Sequence, residues 1–410
     1  MNRIDVEPRA AKVIAALQAA GHRAYVVGGC VRDALLGRVP GDWDACTSAT
    51  PEQVMALFGE ARCIPTGLRH GTVTVRCEGL NIEVTTFRTE GAYSDGRHPD
   101  NVVFVSDVRE DLARRDFTVN AMAYCDAEGL IDPFGGLRDL ESGVLRAVGV
   151  ARERFTEDAL RILRLFRFGA KLGFALEEET RRAALALREN LFRVSVERVF
   201  GELSKLLVCQ SPGAYLPQEL LRVCLPEVAM GDAQTYARRL CVVDAVPARL
   251  EVRLAALFGD VNEDATRAAL MRLHASNALT DAVSLLVRER ELGQEADAKA
   301  LRIQARRCLG RMSVEDLKGM KALRDARIAA GEHLGELDDL LEQAKAFESG
   351  GACCRVAQLA VNGSDLREAL GISGPAVGRM LAWLLERVIC EEIANEREAL
   401  LAAARTCGNG

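Results

Sequence analysis

Up to about residue 140 the apolar positions of this chain switch between two periods. Lys12 to Ala20 repeats at helical spacing, and Ala24-Tyr25-Val26-Val27 is a short apolar run that ends at a glycine pair. Gly71-Thr72-Val73-Thr74-Val75-Arg76 alternates with period two, as does Asn81-Ile82-Glu83-Val84-Thr85-Thr86-Phe87, which predicts strands. From Gly91 to Asn101 the residues turn to Gly, Ser, Asp, Pro and His, the composition of an exposed loop. Beyond about residue 141 Leu, Ala, Arg and Glu dominate and nearly every segment reads as helix. Breaks fall near Ser211-Pro212-Gly213, Val246-Pro247 and Ser349-Gly350-Gly351. The pattern predicts an α+β protein: a small α/β head (1–140), then an all-helical neck (141–210), body (211–348) and tail (349–410).

Composition narrows the class. The 410 residues are 49% hydrophobic and 27% charged, as in ordinary globular proteins. No apolar run reaches the roughly 18 residues of a membrane span. The start, MNRIDVEPRAAKVIAAL, carries acids and a helical pattern, unlike a secretory signal. Thirteen cysteines are scattered and never spaced as C-x-x-C, so they are expected as reduced, mostly buried thiols of a cytoplasmic protein, without structural zinc. The net charge of −6 argues against indiscriminate polyanion binding. Residues 141–210 run the other way, with 13 Lys/Arg against 10 Asp/Glu. Leu- and Ala-rich helices suit a monomer's core and a dimer's interface equally, so the oligomeric state stays open.

The residues with the most chemical content are Gly28-Gly29-Cys30-Val31-Arg32-Asp33, followed by Asp42-Trp43-Asp44. Gly28 and Gly29 have no Cβ to hold a ligand away from the backbone. A short helix after them would turn amides toward phosphate oxygens, and Arg32 adds a forked cation. Asp42 and Asp44, two apart on a strand, would share one face, as two Mg²⁺-binding carboxylates must. Trp43 between them is expected to pack beneath the site. Glu83, on the face of its strand opposite Ile82 and Val84, is the candidate third carboxylate. A turn or cap role after Pro40-Gly41 is the plainer reading of the aspartates, and solvent exposure that of Glu83.

A second cluster is Arg114-Arg115-Asp116-Phe117-Thr118-Val119-Asn120. It reads either as an exposed, self-compensating helix start or as a nucleotide contact. In the latter, Arg115 reaches a triphosphate and Asp116 or Asn120 takes a sugar hydroxyl. The third cluster is Glu157-Asp158-Ala159-Leu160-Arg161-Ile162-Leu163-Arg164-Leu165-Phe166-Arg167-Phe168. On one helix Asp158 and Arg161 would be neighbours, either a buried internal ion pair or a recognition pair. Three arginines against one aspartate leave positive charge that a triphosphate would neutralise. Cytosine and adenine both present an amino donor beside an unprotonated ring nitrogen. An aspartate accepts from the first while a guanidinium donates to the second. Uracil and guanine present the reverse, and each mismatch costs about 1–3 kcal/mol in unsatisfied buried groups. One Asp–Arg pair can therefore admit C and A without a template.

These three motifs, in this order, resemble the class II tRNA nucleotidyltransferase family, which includes the CCA-adding enzymes and the bacterial poly(A) polymerases. The likeness is specific over about the first 200 residues. His70-Gly71-Thr72-Val73-Thr74-Val75, Arg272-Leu273-His274-Ala275-Ser276-Asn277, Gly363-Ser364-Asp365-Leu366 and Gly371-Ile372-Ser373-Gly374-Pro375-Ala376-Val377-Gly378 extend it more loosely, the last two resembling a tRNA-contacting element. The resemblance implies a nucleotidyltransferase-type head with Mg²⁺ on Asp42 and Asp44. It places Gly29, Arg32 and Arg115 on the nucleotide's phosphates or sugar. Asp158 and Arg161 would read the base, with Arg164 and Arg167 lining the same pocket. It implies CTP and ATP as substrates and tRNA, gripped at its acceptor and T arms, as partner. The loop from Thr89 to Val103, with Asp95-Gly96-Arg97, is of the length found in members that add A. The acid motif Pro40-Gly41-Asp42-Trp43-Asp44 and the acidic tail (Glu391, Glu392, Glu396, Glu398) depart from the poly(A) polymerases. The expected activity is CCA addition with release of pyrophosphate; the alternative is A addition or poly(A) synthesis.

Overall fold

The computed structural model describes residues 3–90 and 102–408. Asp95-Gly96-Arg97 and most of the loop read from Thr89 to Val103 lie outside those residues. The described chain divides into two compact units, residues 1–230 with Arg272–His274, and residues 231–271 with 275–410.

The first unit opens with α1 (Pro8–Ala19), whose Ala10, Val13, Ile14 and Leu17 are buried at helical spacing. Among the described residues eleven strands follow: β1 (Ala24–Val27), β2 (Asp44–Thr47), β3 (Cys63–Gly67), β4 (Thr72–Cys77), β5 (Leu80–Thr86), β6 (Arg88–Glu90), β7 (Val102–Phe104), β8 (Ala123–Cys125), β9 (Gly129–Ile131), β10 (Val144–Leu145) and β11 (Ala175–Leu176). Seven of them form one mixed sheet in the order β3-β4-β5-β2-β1-β8-β9. In it β2 runs parallel to β5 with Asp44 opposite Glu83, and antiparallel to β1. The period-two segments sit where the alternation placed them. In β5, Ile82 and Val84 are buried while Glu83 faces outward.

The interleaved helices of this unit are α2 (Gly29–Leu35), α3 (Pro51–Phe58), α4 (Val108–Ala113), α5 (Gly136–Glu141), α6 (Ala151–Glu157), α7 (Leu160–Leu172), α8 (Glu178–Ala186), α9 (Val196–Leu207) and α10 (Gln218–Cys224). Helix α7 is buried nearly all round, as its apolar sequence requires. It also packs closely at Gly169, where a Cβ would lie 2.6 Å from the Tyr215 ring.

Three local expectations are corrected. Asp42 precedes β2 rather than lying on it. Arg114 ends α4 as its C-cap, so the second cluster closes a helix instead of opening one. Asp158 and Arg161 do not share a helix, because the chain breaks between α6 and α7; the Asp158 carboxylate accepts the Leu160 amide at 3.0 Å.

The second unit is helical: α11 (Ala233–Ala245), α12 (Leu250–Phe258), α13 (Glu263–Arg272), α14 (Asn277–Arg288), α15 (Ala298–Arg311), α16 (Val314–Ala329), α17 (Asp338–Ser349), α18 (Gly363–Leu370), α19 (Pro375–Ile389) and α20 (Arg397–Gly408). Val361, Leu366, Leu384, Val388, Leu400 and Ala404 form a separate small core under α18–α20. Among the described residues no helix is long and apolar enough to cross a membrane. All thirteen cysteines are free thiols.

Candidate active site

A cleft of about 830 Å³ in the first unit collects residues from all three motifs. Gly28, Gly29, Arg32, Asp33, Asp42, Asp44, Glu83, Arg115, Asp116, Asn120, Asp158, Arg161, Arg164 and Arg167 all line it. Nine Lys/Arg and six Asp/Glu face one another there, a positive balance inside an acidic protein.

At the floor, β1 delivers the chain to Gly28, whose φ of 81° lies in the left-handed region that favours glycine. A Cβ on it would sit 2.8 Å from Arg115 Nη1. Gly28 therefore answers both to backbone conformation and to a guanidinium pressed against it. At Gly29 a side chain would meet only ordinary contact with Arg32, so its absence leaves the approach to the cleft open.

The carboxylates gather at the sheet end. Asp44 starts β2, Glu83 is its register partner on β5, and Asp42 lies two residues upstream with the buried Trp43 between the aspartates. Burial, followed by the negative charges of Asp42 and Glu83, pushes the Asp44 carboxyl up to about 6 against the pull of Arg115. Among the described residues no three His, Cys, Asp or Glu side chains are arranged as a ready-made metal cage. Two carboxylates with the remaining positions left to water and substrate phosphates is the usual way Mg²⁺ is held. Hard oxygen donors whose charges raise the proton affinity of Asp44 fit a divalent cation, because the cation removes the repulsion that burial enforces.

The opposite wall is a compensated arginine network. Arg32, 2% exposed, donates from Nε to Asp33 at 2.8 Å and from Nη1 to Asn120 Oδ1 at 2.5 Å. Asn120 Nδ2 in turn donates to Asp116 Oδ1 at 3.1 Å, and Asp116 Oδ2 takes both Nε and Nη2 of Arg164 at 2.9 and 2.6 Å. Burial raises the Asp116 carboxyl, but Arg164 and the Asn120 amide outweigh it and hold it at about 2. Arg167 pairs with Glu202. The Phe168 ring lies under three guanidinium carbons, those of Arg32 (5.4 Å), Arg164 (5.2 Å) and Arg167 (4.0 Å), a shared cation–π surface.

Asp158 and Arg161 both reach the cleft. Arg161 donates to Glu157 at 3.0 Å and to the Arg114 carbonyl at 2.7 Å; Arg198 lies 3.8 Å from Asp158. Acids from other elements balance the arginines of this stretch: Asp116, Glu157 and Glu202. Arg114 and Arg115 both hold the fully buried Asp111, and Arg115 Nε is buried with no partner.

Sequence reasoning missed Arg88, Lys171 and Arg198 in the cleft, and Asp111 and Glu202 behind it. These arrive through tertiary contact. Only Arg198 had a local hint, its place in the first turn of an amphipathic helix.

Carboxylates on a mixed sheet facing an arginine wall define a nucleotidyltransferase. Residues 24–146 match the family described as the poly A polymerase head domain, and residues 173–230 one described as a probable RNA and SrmB-binding site of polymerase A. Residues 251–404 match a putative tRNA nucleotidyltransferase domain 2. The chain is 38% identical to a CCA-adding enzyme of Lactiplantibacillus plantarum, covering 99% of this chain and 98% of that one. It is 35% identical to a CCA-adding enzyme of Streptococcus mutans, over 96% and 95%. The crystal structure of a Bacillus stearothermophilus CCA-adding enzyme in complex with CTP superposes with a TM-score of 0.78 at 32% identity, covering 98% of each chain. The chain belongs to the CCA-adding enzyme family of tRNA nucleotidyltransferases. Enzymes of this kind generally use a divalent metal.

Proposed function

We propose that this chain adds C, C and A to the 3′ end of tRNA from CTP and ATP. The observation that carries the reading is that one cleft joins the carboxylates of Asp42, Asp44 and Glu83, the guanidiniums of Arg32 and Arg115, and the side chains of Asp158 and Arg161. In each step the terminal hydroxyl of tRNA loses its proton and forms a bond to the α-phosphorus, and the bond to pyrophosphate breaks. Asp42 and Asp44, with Glu83 beside them, would hold Mg²⁺, which when bound supplies Lewis-acid polarisation and neutralises charge on the phosphates. Arg32 and Arg115 take the phosphates across the gap left by Gly28 and Gly29, and Asp33 steadies Arg32. Asp116 or Asn120 meets the sugar hydroxyl. Asp158 accepts from the exocyclic amine of C or A while Arg161 donates to the ring nitrogen, with Arg164 and Arg167 closing the pocket around Phe168.

The division into head, neck, body and tail (1–140, 141–210, 211–348 and 349–410) goes with this reading, the helical parts binding the acceptor and T arms mainly by shape and backbone. Free thiols throughout support a cytoplasmic setting. The test is incubation with tRNA lacking its CCA end, labelled CTP and ATP. Incorporation of C followed by a single A is expected. Addition of A alone would select the A-adding alternative, and a run of A the poly(A) polymerase one.

A further inference from the structure

We infer that the helical body carries a second ligand site, for a small amphipathic anion with a compact aromatic body. The second unit encloses a cavity of about 270 Å³ bounded by α11, α12, α14 and α16, just below the roughly 300 Å³ at which small-molecule sites begin. Its walls are apolar: Val242, Ala255, Ala256, Leu286, Met320 and Leu323. Five arginines nevertheless line it (Arg238, Arg239, Arg290, Arg324 and Arg327), against only Asp260 and Glu332.

The arginines are not equivalent. Arg327 is paired with Glu332 at 2.7 Å and Glu291 at 3.1 Å, and Arg290 fastens the Gly259 and Val261 carbonyls at 2.7 and 2.8 Å. Those two are accounted for as braces. Arg324 is not. It is 3% exposed, and its terminal nitrogens donate only to the carbonyls of Gly335, Arg290 and Leu292 at 3.1, 2.9 and 2.6 Å. Its Nε is buried with no partner, and among the described residues it forms no ion pair with a carboxylate. Glu291 and Glu332 act on its charge only from beyond ion-pair distance and are themselves paired with Arg327, and a buried cation so weakly compensated is costly unless an anion joins it. Arg238 and Arg239 stand at the same cavity; Arg238 is exposed, and Arg239 packs so closely on Gly259 that a Cβ there would meet its Nε at 2.8 Å. A cation within, cations beside it and an apolar lining match a flat apolar body bearing one carboxylate, the guanidinium planes serving both charge and stacking.

The test uses the full chain and 2-naphthoate as probe in isothermal titration calorimetry, with 2-naphthalenemethanol (body without charge) and acetate (charge without body) as comparators. Saturable 1:1 binding of 2-naphthoate is expected, at least about tenfold tighter than either comparator, because one charge-assisted hydrogen bond is worth that factor or more. Excess CTP leaves it unchanged. Arg238→Ala, at an exposed position that does not threaten folding, weakens binding severalfold, and the cavity-filling Leu323→Trp abolishes it. Arg324→Met abolishes it too, where the variant folds. The inference is overturned by absence of binding at millimolar probe, by equal affinity for the alcohol, by displacement with CTP, or by binding that survives both Arg238→Ala and Leu323→Trp.

Discussion

The two ends of the catalytic cleft handle charge in opposite ways. At the sheet end Asp42 and Glu83 crowd Asp44, Arg115 pulls the other way, and the Asp44 carboxyl is pushed up to about 6. At the helical end, Arg32, Arg164 and Arg167 each have an acid, and the relay Arg32–Asn120–Asp116–Arg164 satisfies its members in turn. On the proposed function a cation would complete the first end, and a nucleotide would meet guanidiniums already fixed in place at the second, with little ordering left to do.

The largest expected break in this contrast comes from Asp44→Asn. Single-turnover incorporation of CTP into CCA-less tRNA should fall on the order of 10³-fold, the scale of losing one electrostatic element from such a site. The same change should stabilise the cation-free protein at pH 7. Because the folded carboxyl titrates above its unfolded value, its ionisation costs stability at pH values above about 6, and the cost fades as pH falls toward 4. Urea unfolding at pH 7 should show a gain of about 1–3 kcal/mol. At the opposite end the sign reverses. Asp116→Asn removes the counter-charge of the half-buried Arg164 and should cost about 1.5–3 kcal/mol by the same measurement, the scale of a hydrogen bond to a charged group. In the native protein the Asp116 contribution persists at neutral pH and is lost as pH drops from about 4 through about 2.

A sharper probe is the pH profile at limiting Mg²⁺. Incorporation should decline as pH falls through about 6, and Asp42→Asn should move that midpoint lower by removing one of the charges that raise Asp44. An unmoved midpoint would separate Asp42 from the cluster. The smallest effect belongs to Glu83→Gln. A third carboxylate predicts a loss of about tenfold or more in cation affinity, read as the Mg²⁺ dependence of thermal stability, whereas a merely solvent-facing Glu83 predicts none.

The same contrast marks what could be read from the sequence. The carboxylate end was legible because its parts are local: the glycine pair requires a turn, the aspartates sit two apart, and period-two alternation put Glu83 on the outer face of its strand. The arginine end was legible only by composition. Asp116 and Arg164 lie far apart in the chain, as do Glu202 and Arg167, and no spacing signals such pairs. Asp158 was read as a neighbour of Arg161 within one helix because neither Gly nor Pro interrupts the apolar pattern there. The chain turns extended at Asp158 (φ −131°, ψ 101°), whose carboxylate accepts the Leu160 amide, a break that the continuous apolar run of α7 hides. The division of the chain at Met230, beyond the Ser211-Pro212-Gly213 turn, likewise leaves no mark in composition.

Base choice is where the two ends must cooperate, and it is measured most directly by comparing CTP with UTP in single-turnover addition to CCA-less tRNA, for the native chain and for Asp158→Asn. The native protein should favour CTP strongly. An asparagine amide can turn its NH₂ toward the uracil carbonyl, so the variant should lose most of that preference, by at least about tenfold, through gain on UTP as well as loss on CTP. Unchanged discrimination in a folded, active Asp158→Asn protein would contradict the account.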